Sequence, residues 1–337
     1  MTILVTGGLG YIGSHTVVEL LNNNFEVVII DDLSNTEKFI LKNIEEISGK
    51  KPIFYPFDLK RKELLKQVFD AHKIEGCIHF AAYKAVGESQ EKPIDYYENN
   101  LFSLINLLQE MKERNISNFI FSSSCTVYGQ ADTMPIDENT PLKLPESSYG
   151  KTKQMGEEIL KDFATAHQKK VTLLRYFNPI GAHPSAKLGE LPIGIPNNLV
   201  PYVMQTAAGV REKLSVWGDD YPTEDGTAIR DYIYVVDLAK AHVKALQKLI
   251  SENSETLVDI YNLGTGKGSS VLEVVHAFEK ANDVAVPYQI CERRAGDITI
   301  AYANADKAEK ELGWKSETSL EEALRTVWQW QKYLETR

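Results

Sequence analysis

Thr6-Gly7-Gly8-Leu9-Gly10-Tyr11-Ile12-Gly13 follows directly on the apolar run Ile3-Leu4-Val5 and leads into a stretch of helical spacing over residues 14–22. Strand, glycine turn and helix in that order open a dinucleotide-binding βαβ unit. Gly7 permits the tight turn, Gly10 lets the backbone approach a pyrophosphate, and Gly13 lets the helix close on the strand. The helix start at Tyr11 and Ile12 offers unpaired N–H groups to phosphate. A tight turn with no ligand would use glycine too, so the context matters. Asp31 closes the second apolar run 18 residues beyond Gly13, near the roughly 20-residue spacing of an acid that accepts ribose hydroxyl hydrogens. Its charge would repel a 2′-phosphate, which favours NAD over NADP. Asp32 either adds to that charge or caps its own loop.

Working outward, short apolar runs at 3–6, 27–30, 53–55, 77–80, 119–123 and 171–175 alternate with helical spacing at 63–72, 96–114 and 150–167. Buried strands alternating with helices predict an α/β fold: a Rossmann-type doubly wound parallel sheet covered on both faces. After Asn178 the texture changes, with Pro179, Pro184, Pro192, Pro196 and Pro201 breaking regular structure. The expected division is residues 1–178, mainly NAD-binding, and 179–337, a smaller mixed α/β substrate-binding domain. Residues 258–263 read as a strand that returns to the first sheet. Leu238, Ala241, Ala245 and Leu249 share a helix face, and Thr318 with Glu321 has the spacing of a capping box.

Composition excludes several classes. With 43% hydrophobic and 25% charged residues the chain is ordinary for a folded enzyme. A formal charge of −10 argues against nucleic acid or an anionic membrane as partner. No apolar run approaches the roughly 20 residues of a membrane span, and Met1 to Thr6 reaches glycine too soon for a signal peptide, so the expected location is cytoplasmic. Cys77, Cys125 and Cys291 lie far apart without C-x-x-C spacing, and the seven histidines show no ligand spacing. The expectation is reduced thiols and no metal.

Ser122-Ser123-Ser124-Cys125-Thr126 ends an apolar run, and Tyr149-Gly150-Lys151-Thr152-Lys153 begins a helix soon after. Tyr149 and Lys153 then stand one turn apart on one face. Y-x-x-x-K alone is common; behind the glycine fingerprint it resembles the extended short-chain dehydrogenase/reductase family, whose catalytic tyrosine, lysine and serine match Tyr149, Lys153 and Ser124. Residues 84–89 (KAVGES), 174–179 (LRYFNP), 222–227 (PTEDGT), 230–232 (RDY) and 293–297 (RRAGD) are similar to stretches of UDP-glucose 4-epimerases, in order over nearly the whole chain. The resemblance implies that Asn35, Asp58, Leu59, Phe80, Ala81, Lys84, Asn99, Ser122, Tyr149, Lys153 and Tyr176 line the NAD site with the glycine turn, Asp31 and Asp32. It implies that Lys84, Ser124, Tyr149, Phe177, Asn178, Asn198, Leu199, Arg230, Arg294, Asp297 and Ala301 surround a UDP-sugar, with Trp217 near the uracil. Taken singly, Phe80 could fill core, Asp58 could cap a helix, and Lys84, Arg230 or Arg294 could be surface charges.

For chemistry, the resemblance implies that Tyr149 as phenolate takes the proton of the sugar 4-hydroxyl while carbon 4 gives hydride to NAD. A free tyrosine has a pKa near ~10, so Lys153 and the positive nicotinamide must favour the phenolate. Members restricted to glucose carry tyrosine at the position of Ala301, so alanine implies added room for N-acetylated sugars. Two other functions compete. A nucleotide-sugar 4,6-dehydratase commonly has Asp-Glu where Cys125-Thr126 stands, and an inactive NAD-binding sensor would have no need of Tyr149 and Lys153. A homodimer through 96–114 and 150–167 completes the implied picture.

Overall fold

The computed structural model describes residues 1–251, 256–294 and 297–337. Its first part runs β1 (Thr2–Thr6), α1 (Tyr11–Asn22), β2 (Glu26–Ile30), α2 (Phe39–Ser48), β3 (Ile53–Tyr55), α3 (Lys62–Ala71) and β4 (Ile74–His79). There follow α4 (Val86–Glu91), α5 (Pro93–Tyr97), a π-helical turn (Glu98–Phe102), α6 (Ser103–Glu113), β5 (Asn118–Ser124), a 3-10 turn (Cys125–Tyr128), α7 (Ser148–His167) and β6 (Lys170–Tyr176). Beyond these come β7 (Asn178–Ile180), α8 (Leu199–Ala207), β8 (Leu214–Trp217), β9 (Ile229–Arg230), β10 (Tyr232–Tyr234), α9 (Val235–Ser251) and β11 (Val258–Leu263). The chain ends with β12 (Ser269–Ser270), α10 (Val271–Asn282), β13 (Tyr288–Cys291), β14 (Ile300–Ala301), α11 (Asp306–Leu312) and α12 (Leu320–Glu335).

Seven strands form one parallel sheet in the order β11-β6-β5-β4-β1-β2-β3. Alternate residues of each strand feed opposite faces. Ile3, Val5, Ile29, Ile78, Ile120 and Leu174 pack into the core shared with α1 and α9. Leu4, Val28, Ile30, Cys77, Phe119, Phe121 and Leu173 pack into the one shared with α3, α6 and α7. Both faces are thereby covered, as the Rossmann reading requires. The order reverses between β1 and β4, so the crevice at their C-terminal ends is the fold's natural ligand position. Three small sheets, β7-β10, β8-β13 and β12-β9-β14, rise beyond those ends.

Several local expectations change. The helix expected over 96–114 is present as a continuous helical run from Pro93 to Glu113, with an unforeseen wider π turn at 98–102 inside it. Pro179 sits inside β7, in a two-stranded sheet, and Pro201 lies in the first turn of α8, where its missing N–H breaks no helical bond. The capping box at Thr318 and Glu321 is also overturned. Thr318 N–H donates to Asp237 (3.0 Å), and the cap falls one residue later, where Ser319 Oγ accepts from Glu322 N–H (3.2 Å).

Candidate active site

The expected cofactor residues gather at the C-terminal ends of consecutive strands. Gly7 leaves β1 with φ +68°, a conformation that favours glycine, and an added Cβ would stand 2.7 Å from the Ala81 nitrogen across the β1–β4 crevice. A Cβ on Gly13 would meet the Gly7 carbonyl oxygen at 2.1 Å, so that glycine is fixed by helix-to-turn contact. Gly10 caps α1 without any side-chain bond, leaving the N–H groups of Tyr11 and Ile12 at an uncapped helix start. At the end of β2, the buried Asp31 carboxylate accepts from Leu9 N–H and Leu33 N–H, each at 3.0 Å. Burial pushes its pKa up, and those backbone donors pull it back. An open helix start facing a crevice, with an anchored carboxylate beside it, fits a dinucleotide with two ribose hydroxyls near Asp31.

The neighbours differ in how they contribute. Asp32 and Asn35 are exposed in the following loop, and Asp32 Oδ1 accepts from Ser34 N–H at 2.9 Å, which is the loop-capping alternative. Asp58 follows β3 and accepts from Lys60 N–H (2.8 Å), which ties the turn ahead of α3. The Leu59 side chain is packed in the core behind α3, and its carbonyl accepts from Asn106 Nδ2 (3.1 Å). Phe80 follows β4 and rests on His242, ring centroids 4.8 Å apart. Asn99 is buried and donates to Asn100 Oδ1 (3.1 Å). Lys84 was expected to face phosphate; here its ammonium pairs with Glu190 (2.9 Å), whose same oxygen accepts from Asn198 Nδ2 (2.7 Å). The carboxylate is the nearest available anion, and it holds both side chains together ahead of α8, whose first residue is Leu199.

The reacting groups lie where β5 meets α7. Ser147 caps α7, its Oγ accepting from Gly150 N–H (3.1 Å), and this starts the helix so that Tyr149 and Lys153 share the face against β5. Lys153 Nζ donates to the Ser122 carbonyl (2.7 Å) and lies 5.8 Å from the Tyr149 ring centroid. Tyr149 is half-buried by surface, yet the protein packed round it pushes its hydroxyl up to about 12, against the lowering effect of a hydrogen bond with Ser124. Burial also pulls Lys153 down to about 7, and Glu157 opposes that shift. Burial in the protein alone therefore works against both the phenolate and the ammonium, so the expected positive charge of the nicotinamide bears on both groups. Ser122 Oγ and the Tyr176 hydroxyl are hydrogen-bonded at the end of β6, and burial raises the Tyr176 pKa.

A third group collects above β5. Asp231 is fully buried and accepts from Thr265 N–H (2.9 Å), Gly266 N–H (3.2 Å) and Ala303 N–H (3.1 Å), while its carbonyl accepts from Asn178 N–H (2.9 Å). That hub fixes β9 and places Arg230 within electrostatic range of Cys125, the residue after Ser124. Arg230 donates to Asp297 (2.6 Å), and Arg294 reaches the other oxygen of the same carboxylate (3.3 Å). Ala301 stands opposite Arg230 in register and packs beside Phe177. Trp217, at the end of β8, is exposed. Ala295 and Gly296 of the 293–297 motif lie outside the described residues.

Reading the sequence missed Glu157 and Arg175, which form a buried ion pair behind Lys153 (2.5 Å). The signal was present: an arginine inside an apolar strand, and a carboxylate one helical turn beyond Lys153. Among the described residues no His/Cys/Asp/Glu group could hold a metal, and the three cysteines are free.

The family profile described as GDP-mannose 4,6 dehydratase matches residues 4–327. The UDP-glucose 4-epimerase of Bacillus subtilis (strain 168) is 53% identical over 332 residues, covering 98% of this chain and 97% of its own. The chain belongs to the UDP-glucose 4-epimerase family. Two solved members of that family superpose closely. One is the enzyme of Bifidobacterium longum in complex with NAD+ and UDP (TM-score 0.95, 48% identity, covering 99% of this chain and 98% of the other). The other, from Stenotrophomonas maltophila, has bound NAD and formylated UDP-arabinopyranose (TM-score 0.96, 44% identity, covering 100% and 99%).

Proposed function

We propose that this chain interconverts UDP-glucose and UDP-galactose by inverting carbon 4, with NAD as cofactor. The reading rests chiefly on Tyr149, Lys153 and Ser124 meeting at the end of β5, between the glycine turn and the Arg230–Arg294–Asp297 group, in a chain about half identical to epimerases over nearly its full length. Bound NAD supplies a two-electron acceptor for the hydrogen on carbon 4 and gives it back later. Tyr149 accepts the 4-hydroxyl proton, with Ser124 bridging the two oxygens, and Lys153 favours the resulting phenol-phenolate balance through its charge. Arg230 and Arg294 hold the diphosphate by directional, charge-assisted hydrogen bonds, with Asp297 orienting both guanidiniums. The 4-keto sugar turns about its link to that anchored diphosphate, presents its other face, and Tyr149 returns the proton. Incubating purified protein with UDP-galactose and no added oxidant tests this directly: UDP-glucose is expected, and an unchanged substrate would leave only a binding module.

Neither alternative is favoured. A dehydratase needs an acid and a base beside the keto group, but burial pushes the Cys125 thiol up to about 12, and Thr126 Oγ1 is buried without a partner. Product mass distinguishes loss of water from isomerisation. A second activity would follow from Ala301: the resemblance puts this position beside the carbon 2 substituent, where alanine would leave more room than the tyrosine of glucose-restricted members. We expect turnover of UDP-GlcNAc and UDP-GalNAc as well, and Ala301→Tyr to suppress that pair while sparing the glucose pair.

The cofactor would be held mainly by residues 1–178 and the UDP-sugar mainly by 179–337, although β11 belongs to the large sheet. Ile94 (72% exposed), Phe102 (55%), Ile105 and Met155 place apolar side chains on the outer faces of α5–α7, which supports a homodimer burying those helices. Among the described residues no helix is long and apolar enough to cross a membrane; a cytoplasmic enzyme is the reading consistent with its free cysteines.

A further inference from the structure

Directly behind the reacting groups, the sequence positions 149, 153 and 157 form one stripe along α7, each a helical turn from the last. The first two belong to the proposed chemistry; the third does not touch the site. Glu157 is wholly buried, an unusual place for a carboxylate unless every oxygen is engaged. Its Oε1 accepts from Ser123 Oγ (2.6 Å) and Arg175 Nε (2.8 Å), and its Oε2 accepts from Arg175 (2.5 Å). Arg175 is 2% exposed and also donates to the Tyr128 hydroxyl (3.0 Å), which in turn donates to Asn262 Oδ1 (2.7 Å). The pair therefore rivets α7 to β5, β6 and β11 at the level of the lysine.

Packing alone gives no reason for this. A buried ion pair is often no better for stability than apolar residues of the same volume, and the neighbouring positions Leu160, Phe121 and Leu173 show that the same interface is elsewhere apolar. We propose that Glu157, anchored by Arg175, is a positioning residue for the reaction: its fixed negative charge holds Lys153 as the ammonium form beside Tyr149. This rests on the epimerase reading above.

The groups facing Lys153 make Glu157 the one able to do so. On α7 these are Tyr149 and Glu157. From β4 comes His79, whose pKa burial holds at about 3, with Nδ1 bonded to Thr6 Oγ1, so it brings no charge. From β6 come Tyr176, kept protonated by burial, and Arg175, already engaged with Glu157. The Cys125 thiol, above β5, is likewise neutral. Burial pulls Lys153 down toward neutrality, and Glu157 is the charge that resists it.

The sign follows. Turnover requires the Tyr149–Lys153 pair to have lost one of its two protons while the remaining proton stays on the amine. Removing the Glu157 charge weakens the ammonium, so the acid limb of kcat moves to lower pH and the plateau falls, because fewer molecules hold the proton on lysine. In Glu157→Gln with NAD bound, the acid limb should fall by about one unit or more, a tenfold or larger loss of proton affinity. Glu157→Asp should return it toward the parent value. If the single variant folds poorly because Arg175 is stranded, Glu157→Gln in an Arg175→Met background, compared with Arg175→Met alone, isolates the Glu157 charge and carries the same expectation. The direct readout is the pH titration of the Lys153 resonance in protein labelled at lysine Cε with carbon-13, assigned by its loss in Lys153→Met. A lowered midpoint in the glutamine variants supports the inference. An unmoved midpoint with uniformly reduced turnover overturns it and leaves Glu157 as scaffold. If the parent protein does not convert UDP-galactose, the epimerase reading fails by itself, and the titration still decides whether Glu157 sets the charge of Lys153.

Discussion

Two clusters of charge flank the place where a sugar would react, and they are built in opposite ways. Lys153, Glu157 and Arg175 are all at most 4% exposed, locked between a helix and the central sheet. Arg230, Arg294 and Asp297 sit at the rim, with side chains 18%, 56% and 14% exposed, on short strands and a loop. In the dry cluster a charge acts at long range on its neighbours' protonation, because little solvent intervenes. At the rim the same charges are screened and can exchange partners, which suits a group that must release one anion to take another. On the proposed function the difference would give chemistry to the buried cluster and ligand capture to the exposed one, and it can be attacked from both sides.

The largest effect should come from the buried side. Tyr149→Phe removes the proton acceptor and should lower kcat by roughly 10²- to 10⁴-fold with NAD still bound and the melting temperature nearly unchanged; near-parent turnover at full NAD occupancy would take Tyr149 out of the reaction. At the rim, Arg230→Ala should raise KM roughly ten- to hundredfold with a smaller change in kcat, the value of a charge-assisted hydrogen bond. Arg294→Ala, at the more exposed position, should cost only a few-fold, and added salt should raise KM in the parent but leave kcat alone. If kcat rather than KM collapsed in the arginine variants, the separation of roles would be wrong. The pH profile sharpens the contrast. With Lys153 pulled down to about 7 and Tyr149 pushed up to about 12, the pair keeps both protons at acid pH. One leaves as pH rises, so kcat should climb between about pH 6 and about pH 8; a flat profile there would contradict the assigned pair. The smallest effect belongs to a site far from both clusters: Ser319→Ala should remove the cap of α12, cost about 1 kcal/mol, lower the melting temperature by a few degrees, and leave kcat and KM untouched.

The same contrast governs what could be read from the chain alone. The glycine turn was legible because its constraints are local: Gly13 is needed for a contact with Gly7 six residues away, and Asp31 lies one βαβ step along. Tyr149 and Lys153 were legible because one helical turn fixes their spacing. Arg230 and Asp297, 67 positions apart, carry no such mark, and they entered only through resemblance to a family. Leu59 came by the same route, and the packing of its side chain into the core is marked by no local pattern. Lys84 entered the same way, and its pairing with Glu190, 106 positions along the chain, is marked by no local pattern. The π turn at 98–102 was hidden because apolar spacing reports a helix face without reporting an extra residue in its turn. Thr318 had the right neighbours for a cap, but its N–H belonged to Asp237, 81 positions away.

The central claim is that the hydrogen taken from carbon 4 is the one put back, on the opposite face, within a closed site. Supplying UDP-galactose carrying deuterium at carbon 4, in ordinary water, and measuring the label in the UDP-glucose formed tests it most directly. Deuterium retained at carbon 4 is the expected result; product bearing solvent hydrogen at that carbon would contradict it.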